Sequence, residues 1–315
     1  MLGHPVLWEG MDMAQTAAVI GIGDMGSGLA ANLLKAGFAV SGYDPDPKRM
    51  DAFAKIGGQA ADSVEAAAKD ADCVFVMVMN GDQARSVFFG EDGAGGLKSV
   101  MKAGSVILLT ATIHASQARA LDAELEGSGI HLIDTPVSGG FPGAQGGTLT
   151  MMAAGSDEAL ELAKSAMEAV SATIHRVGED AGMGQTVKAC LQSIIGSIFS
   201  SVFEASALAA KSGVDAEAFF KVVSTSGAGC GVANTALENI IDRKFVGTGS
   251  HISTMYKDLT ISLDMAREQG VPLFTAATAM QLFQAGITKH PEGDNWVVTR
   301  IMEDIVGAQL ERKPR

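Results

Sequence analysis

Ala17-Ala18-Val19-Ile20-Gly21-Ile22-Gly23-Asp24-Met25-Gly26 sets a short apolar run against a G-x-G-x-x-G turn, and helix-compatible residues follow through Lys35. Strand, glycine turn and helix in that order open a dinucleotide-binding βαβ unit. Gly21 permits the tight turn, Gly23 lets the backbone approach a pyrophosphate, and Gly26 brings the helix against the strand. Free N–H groups at the helix start, in the segment that holds Ile22, Asp24 and Met25, meet phosphate charge. Asp44 lies 18 residues beyond Gly26, at the end of the second strand pattern, where an acid grips ribose hydroxyls. Its alternative role is a turn acid before Pro45. A carboxylate there repels a 2′-phosphate and favours NAD, while Lys48 and Arg49 keep NADP open as an alternative.

Outward from this unit the pattern repeats. Residues 17–22, 38–43, 73–79, 105–110, 130–135 and 148–154 read as strands, and residues 29–37, 47–55, 63–69 and 116–127 as helices. The first five strands are nearly continuous apolar runs, as parallel strands covered on both faces require. The fold class is therefore α/β, a Rossmann-type doubly wound, mostly parallel sheet. From Gly182 the strand-like runs largely vanish, and an all-α C-terminal domain is expected, entered through one long helix. Residues 185–211 form that helix, closed by Gly213, and their 27 positions span roughly 40 Å. Its apolar residues lie all round, so it is expected to be buried between partners. The expected division is a leader at residues 1–13, a dinucleotide-binding domain at 14–180 and a helical substrate and oligomerisation domain at 181–315. Asp215, Asp258 and Thr275 are expected near the starts of later helices.

Of the 315 residues 47% are hydrophobic and 19% charged, which is globular composition, and the net charge is −13. No basic stripe offsets that charge, which argues against nucleic acid as a partner. Three widely spaced cysteines give no disulfide framework, and six histidines show no metal-ligand spacing, so no metal is expected. Residues 1–13 lack a basic n-region and a long apolar run, so they do not form a signal peptide. The apolar stretch 189–203 is interrupted by Gln192, serines and Gly196, and is expected to be too short and too polar for a membrane span. A cytoplasmic location is the expectation, with a homodimer or homotetramer as the assembly.

Three later segments carry candidate chemistry. Asp134-Thr135-Pro136-Val137-Ser138-Gly139-Gly140-Phe141-Pro142-Gly143-Ala144 follows a strand, is dense in Gly and Pro, and sets a hydroxyl beside two glycines, which presents several donors to a carboxylate. A plain turn fits the same composition. Gly182-Met183-Gly184-Gln185-Thr186-Val187-Lys188 places a lysine at the entry to the most apolar helix. Desolvation and a neighbouring cation would lower its pKa and suit it to exchange a proton with an alcohol. Gln192, one turn on, shares its face and reaches toward a substrate hydroxyl. In Tyr256-Lys257-Asp258-Leu259 spacing alone favours helix capping by Asp258.

Together these motifs resemble the β-hydroxyacid dehydrogenase family, over roughly residues 17–302 and in family order. The resemblance implies that Lys188 donates or accepts the proton and that Ser138, Gly139 and Gly140 bind the substrate carboxylate. It further places Lys257 and Thr112 near the cofactor, with Asp258 near the substrate. Met79 lies in the cofactor-facing loop after a strand, where Met79-Asn80-Gly81 replaces the family's usual Leu-Pro. Leu191 and Gln192 occupy the positions where the family commonly has asparagine. Met79-Asn80 and Gln192 look most like the L-threonate dehydrogenase branch. The implied reaction moves a hydride between NAD and the C3 hydroxyl of a small 3-hydroxy acid. The alternatives are 3-hydroxyisobutyrate dehydrogenase and a tartronate semialdehyde or glyoxylate type of reductase. Imine reduction and non-catalytic nucleotide binding are disfavoured by the intact Lys188.

Overall fold

A computed structural model describes residues 15–313. The proposed leader lies outside the described residues. In the first half the elements run β1 (Thr16–Ile20), α1 (Asp24–Lys35), β2 (Ala39–Tyr43), α2 (Pro47–Lys55), β3 (Gln59–Ala60), α3 (Val64–Ala68), β4 (Cys73–Val76), α4 (Gly81–Phe89), α5 (Gly96–Val100) and β5 (Val106–Leu109). They continue with α6 (Ala115–Leu125), β6 (His131–Asp134), β7 (Val137–Ser138), α7 (Gly140–Gly146), β8 (Leu149–Ala154), α8 (Asp157–Val170) and β9 (Ser171–Gly178). Helices then follow one another: α9 (Met183–Lys211), α10 (Ala216–Thr225), α11 (Gly231–Ile241), α12 (Ile252–Glu268), α13 (Phe274–Lys289), a 3₁₀ turn at Asn295–Val298 and α14 (Thr299–Val306).

The sheet order is β3-β2-β1-β4-β5-β6-β8-β7, with β9 beside β8. Strands β1 to β6 pair in parallel, β8 runs antiparallel to β6 and β7, and β9 is parallel to β8. From β1 the chain winds out to β2 and β3, then crosses back to β4 on the other side. The topological switch point therefore lies between β1 and β4, where open α/β sheets bind their ligands. Every residue of β4 and β5 is buried, and the helices on the two faces close two separate cores.

Helix starts follow local chemistry. Asp46 caps α2 ahead of Pro47, while Ser63, Asn80, Ser156 and Asp215 cap α3, α4, α8 and α10 with their side chains. Thr275 is the second residue of α13, near its start as expected. Three sequence-based expectations need correction. Helix α1 begins at Asp24 rather than residue 29, because Gly23 is its N-cap and the glycine turn runs straight into the helix. Asp258 is no cap: α12 starts at Ile252, its cap is His251, and Asp258 lies buried in the second turn. The stretch 189–203 is only part of the 29-residue α9, which by length and composition is long and apolar enough to cross a membrane. In this fold α9 packs against α11, α12, α13 and α14 as the central helix of the bundle. There Phe199 and Phe203 join Phe283 and Trp296 in a third core.

Candidate active site

At the switch point Gly21 has φ +92°, and a Cβ there would lie 2.3 Å from the Met77 carbonyl oxygen, so only glycine fits the turn. A Cβ on Gly26 would lie 1.8 Å from the Gly21 oxygen, which is the close helix-to-strand packing expected of it. A Cβ on Gly23 would meet only the Arg49 guanidinium, at 3.7 Å, so the approach to the start of α1 is open. Ile22, Asp24 and Met25 flank that opening, with the first N–H groups of α1 at its end. Met79 is exposed in the loop after β4, two residues beyond the Met77 that touches Gly21.

Asp44 is buried at the end of β2. One carboxylate oxygen accepts from the Ile22 N–H at 2.9 Å, the other from the Asp46 N–H at 2.9 Å, and Arg49 pairs with the group at 3.2 Å. It thus organises the glycine turn as well as its own turn, as the turn-acid reading expects. Beside it a cavity of about 280 Å³ is lined by Tyr43, Pro45, Met50, Ala61 and Asp62. Open backbone donors, an acid at the ribose position and this adjoining cavity fit a nicotinamide dinucleotide.

Helix α7 carries the second half of the small-residue segment and is docked directly on α1. The Asn32 amide donates to the Ala144 carbonyl at 2.9 Å, Gln145 donates to the Asp24 carbonyl at 3.0 Å, and a Cβ on Gly28 would lie 2.5 Å from the Ala144 carbonyl carbon. Ser138 is half-buried at the end of β7, while Gly139 and Gly140 are exposed with φ +129° and +59°. Their conformations leave backbone and hydroxyl donors uncovered at this end of the sheet.

Lys188 connects this segment to the helices. It is buried, and its Nζ donates to the Val137 carbonyl at 2.9 Å, one residue before Ser138. Burial pushes its pKa below the ordinary lysine value of 10.5; the Asp258 charge opposes that shift and the Lys257 charge adds to it. Lys257 and Asp258 pair at 2.9 Å, and Lys257 also donates to the Thr112 carbonyl at 2.7 Å. Gln192 Nε2 donates to Asp258 at 2.6 Å and contacts Met255 Sδ at 3.7 Å, while Gln192 Oε1 accepts from none of the described residues. The amide donor expected to face substrate is therefore spent on Asp258, and the oxygen is what remains free. The structure thus brings Lys188, Gln192, Lys257, Asp258 and Thr112 together beside the segment of Ser138, Gly139 and Gly140.

Two residues of this region carried no role in the sequence reading. Asp134 and Gln185 are fully buried and bonded to each other at 2.7 Å. An acid closing a short strand with apolar Leu132 and Ile133 and a glutamine in the first turn of an apolar helix were the available signals. Among the described residues no group of three His, Cys, Asp or Glu side chains gathers as metal ligands would.

A Rossmann-type switch point joined to a buried lysine in a helical half defines a dinucleotide-dependent oxidoreductase. Residues 16–178 match the family described as the NAD binding domain of 6-phosphogluconate dehydrogenase. Residues 182–301 match the one described as NAD-binding of NADP-dependent 3-hydroxyisobutyrate dehydrogenase. An L-threonate dehydrogenase of Pectobacterium atrosepticum is 32% identical, the match covering 94% of this chain and 97% of that one. One of Cupriavidus necator is 33% identical, over 93% and 98%. A crystal structure of 3-hydroxyisobutyrate dehydrogenase from Salmonella typhimurium superimposes with a TM-score of 0.83 at 29% identity, over 91% and 99%. The chain belongs to the β-hydroxyacid dehydrogenase family, whose members are NAD(P)-dependent oxidoreductases of small hydroxy acids.

Proposed function

We propose that this enzyme oxidises the C3 hydroxyl of a four-carbon 3-hydroxy acid bearing a further hydroxyl, of which L-threonate is the leading candidate. The observation that carries this reading is the buried Lys188 amine, 2.9 Å from the Val137 carbonyl and next to the exposed glycines 139 and 140. The bound dinucleotide supplies the hydride acceptor. Ser138, Gly139 and Gly140 anchor the substrate carboxylate, and Lys188 in its neutral form takes the hydroxyl proton. Lys257 and Asp258 set the charge around that amine, and Thr112 lies at the cofactor side through its bond to Lys257. Gln192 Oε1 accepts from the additional hydroxyl. A methyl-bearing acid that covers this oxygen would leave it unpaired, at a cost of roughly 1–3 kcal/mol. The L-threonate relatives support the choice. The test is dinucleotide reduction with L-threonate, glycerate and 3-hydroxyisobutyrate; a clear preference for 3-hydroxyisobutyrate would overturn the substrate assignment.

The same reading includes a homo-oligomer in a reducing, cytoplasmic setting. Ile194, Leu208, Val222 and Phe274 are exposed, and a groove of about 690 Å³ runs between α9, α10, α11 and α13. A second copy seated there would cover this apolar surface. Light scattering is expected to give a dimer or tetramer, and a stable monomer would contradict it. Cys73, Cys190 and Cys230 are unpaired, which supports the reducing compartment.

A further inference from the structure

The loop after β5 is held from the helical half at four successive residues. The Ala111 carbonyl accepts from Gln185 Nε2 at 3.0 Å, and the Ile113 N–H donates to Gln185 Oε1 at 3.0 Å. Between them the Thr112 carbonyl takes Lys257, and the His114 ring lies 3.5 Å from Glu268. Gln185 uses its remaining N–H on Asp134 Oδ1, at 2.7 Å. The other oxygen of Asp134 accepts from the Gly182 and Gln185 backbone N–H groups, at 2.8 and 3.1 Å, and so caps the start of α9. Both side chains are fully buried.

These bonds close a ring. Three residues after Asp134 the Val137 carbonyl holds Lys188 Nζ, and three residues after Gln185 on the same helix is Lys188 itself. The ring has no slack, because a Cβ on Gly184 would lie 2.5 Å from the Asp134 carbonyl oxygen and 2.6 Å from that of Met152. Asp134 carries its role at a cost: burial pushes its carboxyl up to about 6, against the hydrogen bonds from Gln185 and the backbone of Gly182 and Gly184.

We propose that Gln185, anchored by Asp134, is a positioning residue that locks the residue 111–113 loop and the first turn of α9 into one unit, keeping the Lys188 amine in register with the site of hydride transfer. This rests on the reading of Lys188 as proton carrier. A misplacement of ~1 Å can cost ~10²-fold in rate without any loss of binding, so a clamp of this kind acts on turnover.

The test uses the full-length enzyme carrying Gln185→Met, which keeps length and removes all three side-chain hydrogen bonds. At saturating substrate and cofactor kcat is expected to fall at least about tenfold. The deuterium isotope effect on the transferred hydrogen should rise, while reduced-cofactor affinity stays within about threefold. A kcat within about threefold of wild type, or a loss matched by an equal loss of cofactor affinity with no change in isotope effect, would overturn the proposal. If that variant does not fold, Gln185→Glu decides. Its new carboxyl would face Asp134, the titratable side chain among the hydrogen-bond partners of the Gln185 side chain in the described residues, the others being main-chain groups of Ala111 and Ile113. The pair can be bonded only while it shares a proton, so turnover should fall along a new limb as pH rises. An unchanged pH profile would overturn the proposal. Lys188→Ala, measured alongside, separates the two readings: high residual turnover there would remove the proton-carrier role while leaving a Gln185 effect on the isotope effect readable.

Discussion

Lys188 Nζ and the Val137 carbonyl oxygen are 2.9 Å apart, which ties the entry turn of the long helix to the strand that ends in Ser138. One hydrogen bond thereby joins the amine proposed as proton carrier to the segment proposed for the substrate carboxylate. A free lysine at this position would need a solvent path along its stem; here the stem is buried and the head is held.

The charge around Lys188 sets a pH dependence with a defined sign. Its pKa is lowered by burial, so oxidation, which needs the neutral amine, should rise with pH along a limb below 10.5. Reduction of the matching carbonyl needs the ammonium form and should fall along the same limb. Asp258→Asn removes the charge that favours the ammonium and should move the limb to lower pH. Lys257→Gln removes the opposing cation and should move it to higher pH. Profiles of kcat/KM against pH check both directions.

Asp44 and Arg49 pair at 3.2 Å, and cofactor choice is expected to turn on them. NAD should exceed NADP by at least about tenfold in kcat/KM, equivalent to ~1.4 kcal/mol. Asp44→Ala should raise NADP use by freeing Arg49 for a 2′-phosphate, and Arg49→Ala should widen the preference for NAD. Equal efficiency with the two cofactors in the wild-type enzyme would show that Arg49 dominates the ribose end.

The seating of α7 on α1 predicts a packing effect. Gly28→Ala puts a methyl 2.5 Å from main-chain atoms of Ala144, so one helix must shift. Overpacking of this kind costs about 1–3 kcal/mol, and the melting temperature should fall accordingly. Because α1 starts at the cofactor turn and α7 follows the carboxylate segment, KM values for both ligands should rise together.

Gln192 is expected to report on substrate size. Shortening it in Gln192→Asn withdraws the amide from its 2.6 Å bond to Asp258 and moves the free oxygen back by one methylene. The preference for a hydroxylated four-carbon acid over 3-hydroxyisobutyrate should shrink. An unchanged ratio of kcat/KM values for the two acids would separate Gln192 from substrate selection.

Much of the architecture was legible because the inner strands are buried on both faces and so appear as unbroken apolar runs, as Val74-Phe75-Val76 and Ile107-Leu108-Leu109 do. The strands that escaped notice lack that signature. Gln59–Ala60 is two exposed residues, Val137–Ser138 is just as short, and Ser171–Gly178 is largely open to solvent. Helix α7, with the sequence GFPGAQG, has the composition of a turn and owes its shape to docking on α1. The roles read for Lys188, Lys257 and Asp258 come from the family resemblance; by spacing alone Lys257-Asp258 resembles a helix start, and only the full extent of α12 shows that it begins six residues earlier. The partnership of Asp134 with Gln185 joins positions 51 residues apart and needs the fold to become visible.

The most direct measurement is single-turnover reduction of NAD by the substrate acid with wild-type enzyme and Lys188→Ala, alongside cofactor affinity. The variant should bind the dinucleotide within about threefold of wild type while hydride transfer slows by ~10²–10⁴-fold, the contribution typical of general acid–base assistance. A variant that retains more than about a tenth of the wild-type rate would contradict the assignment of Lys188 as the proton carrier.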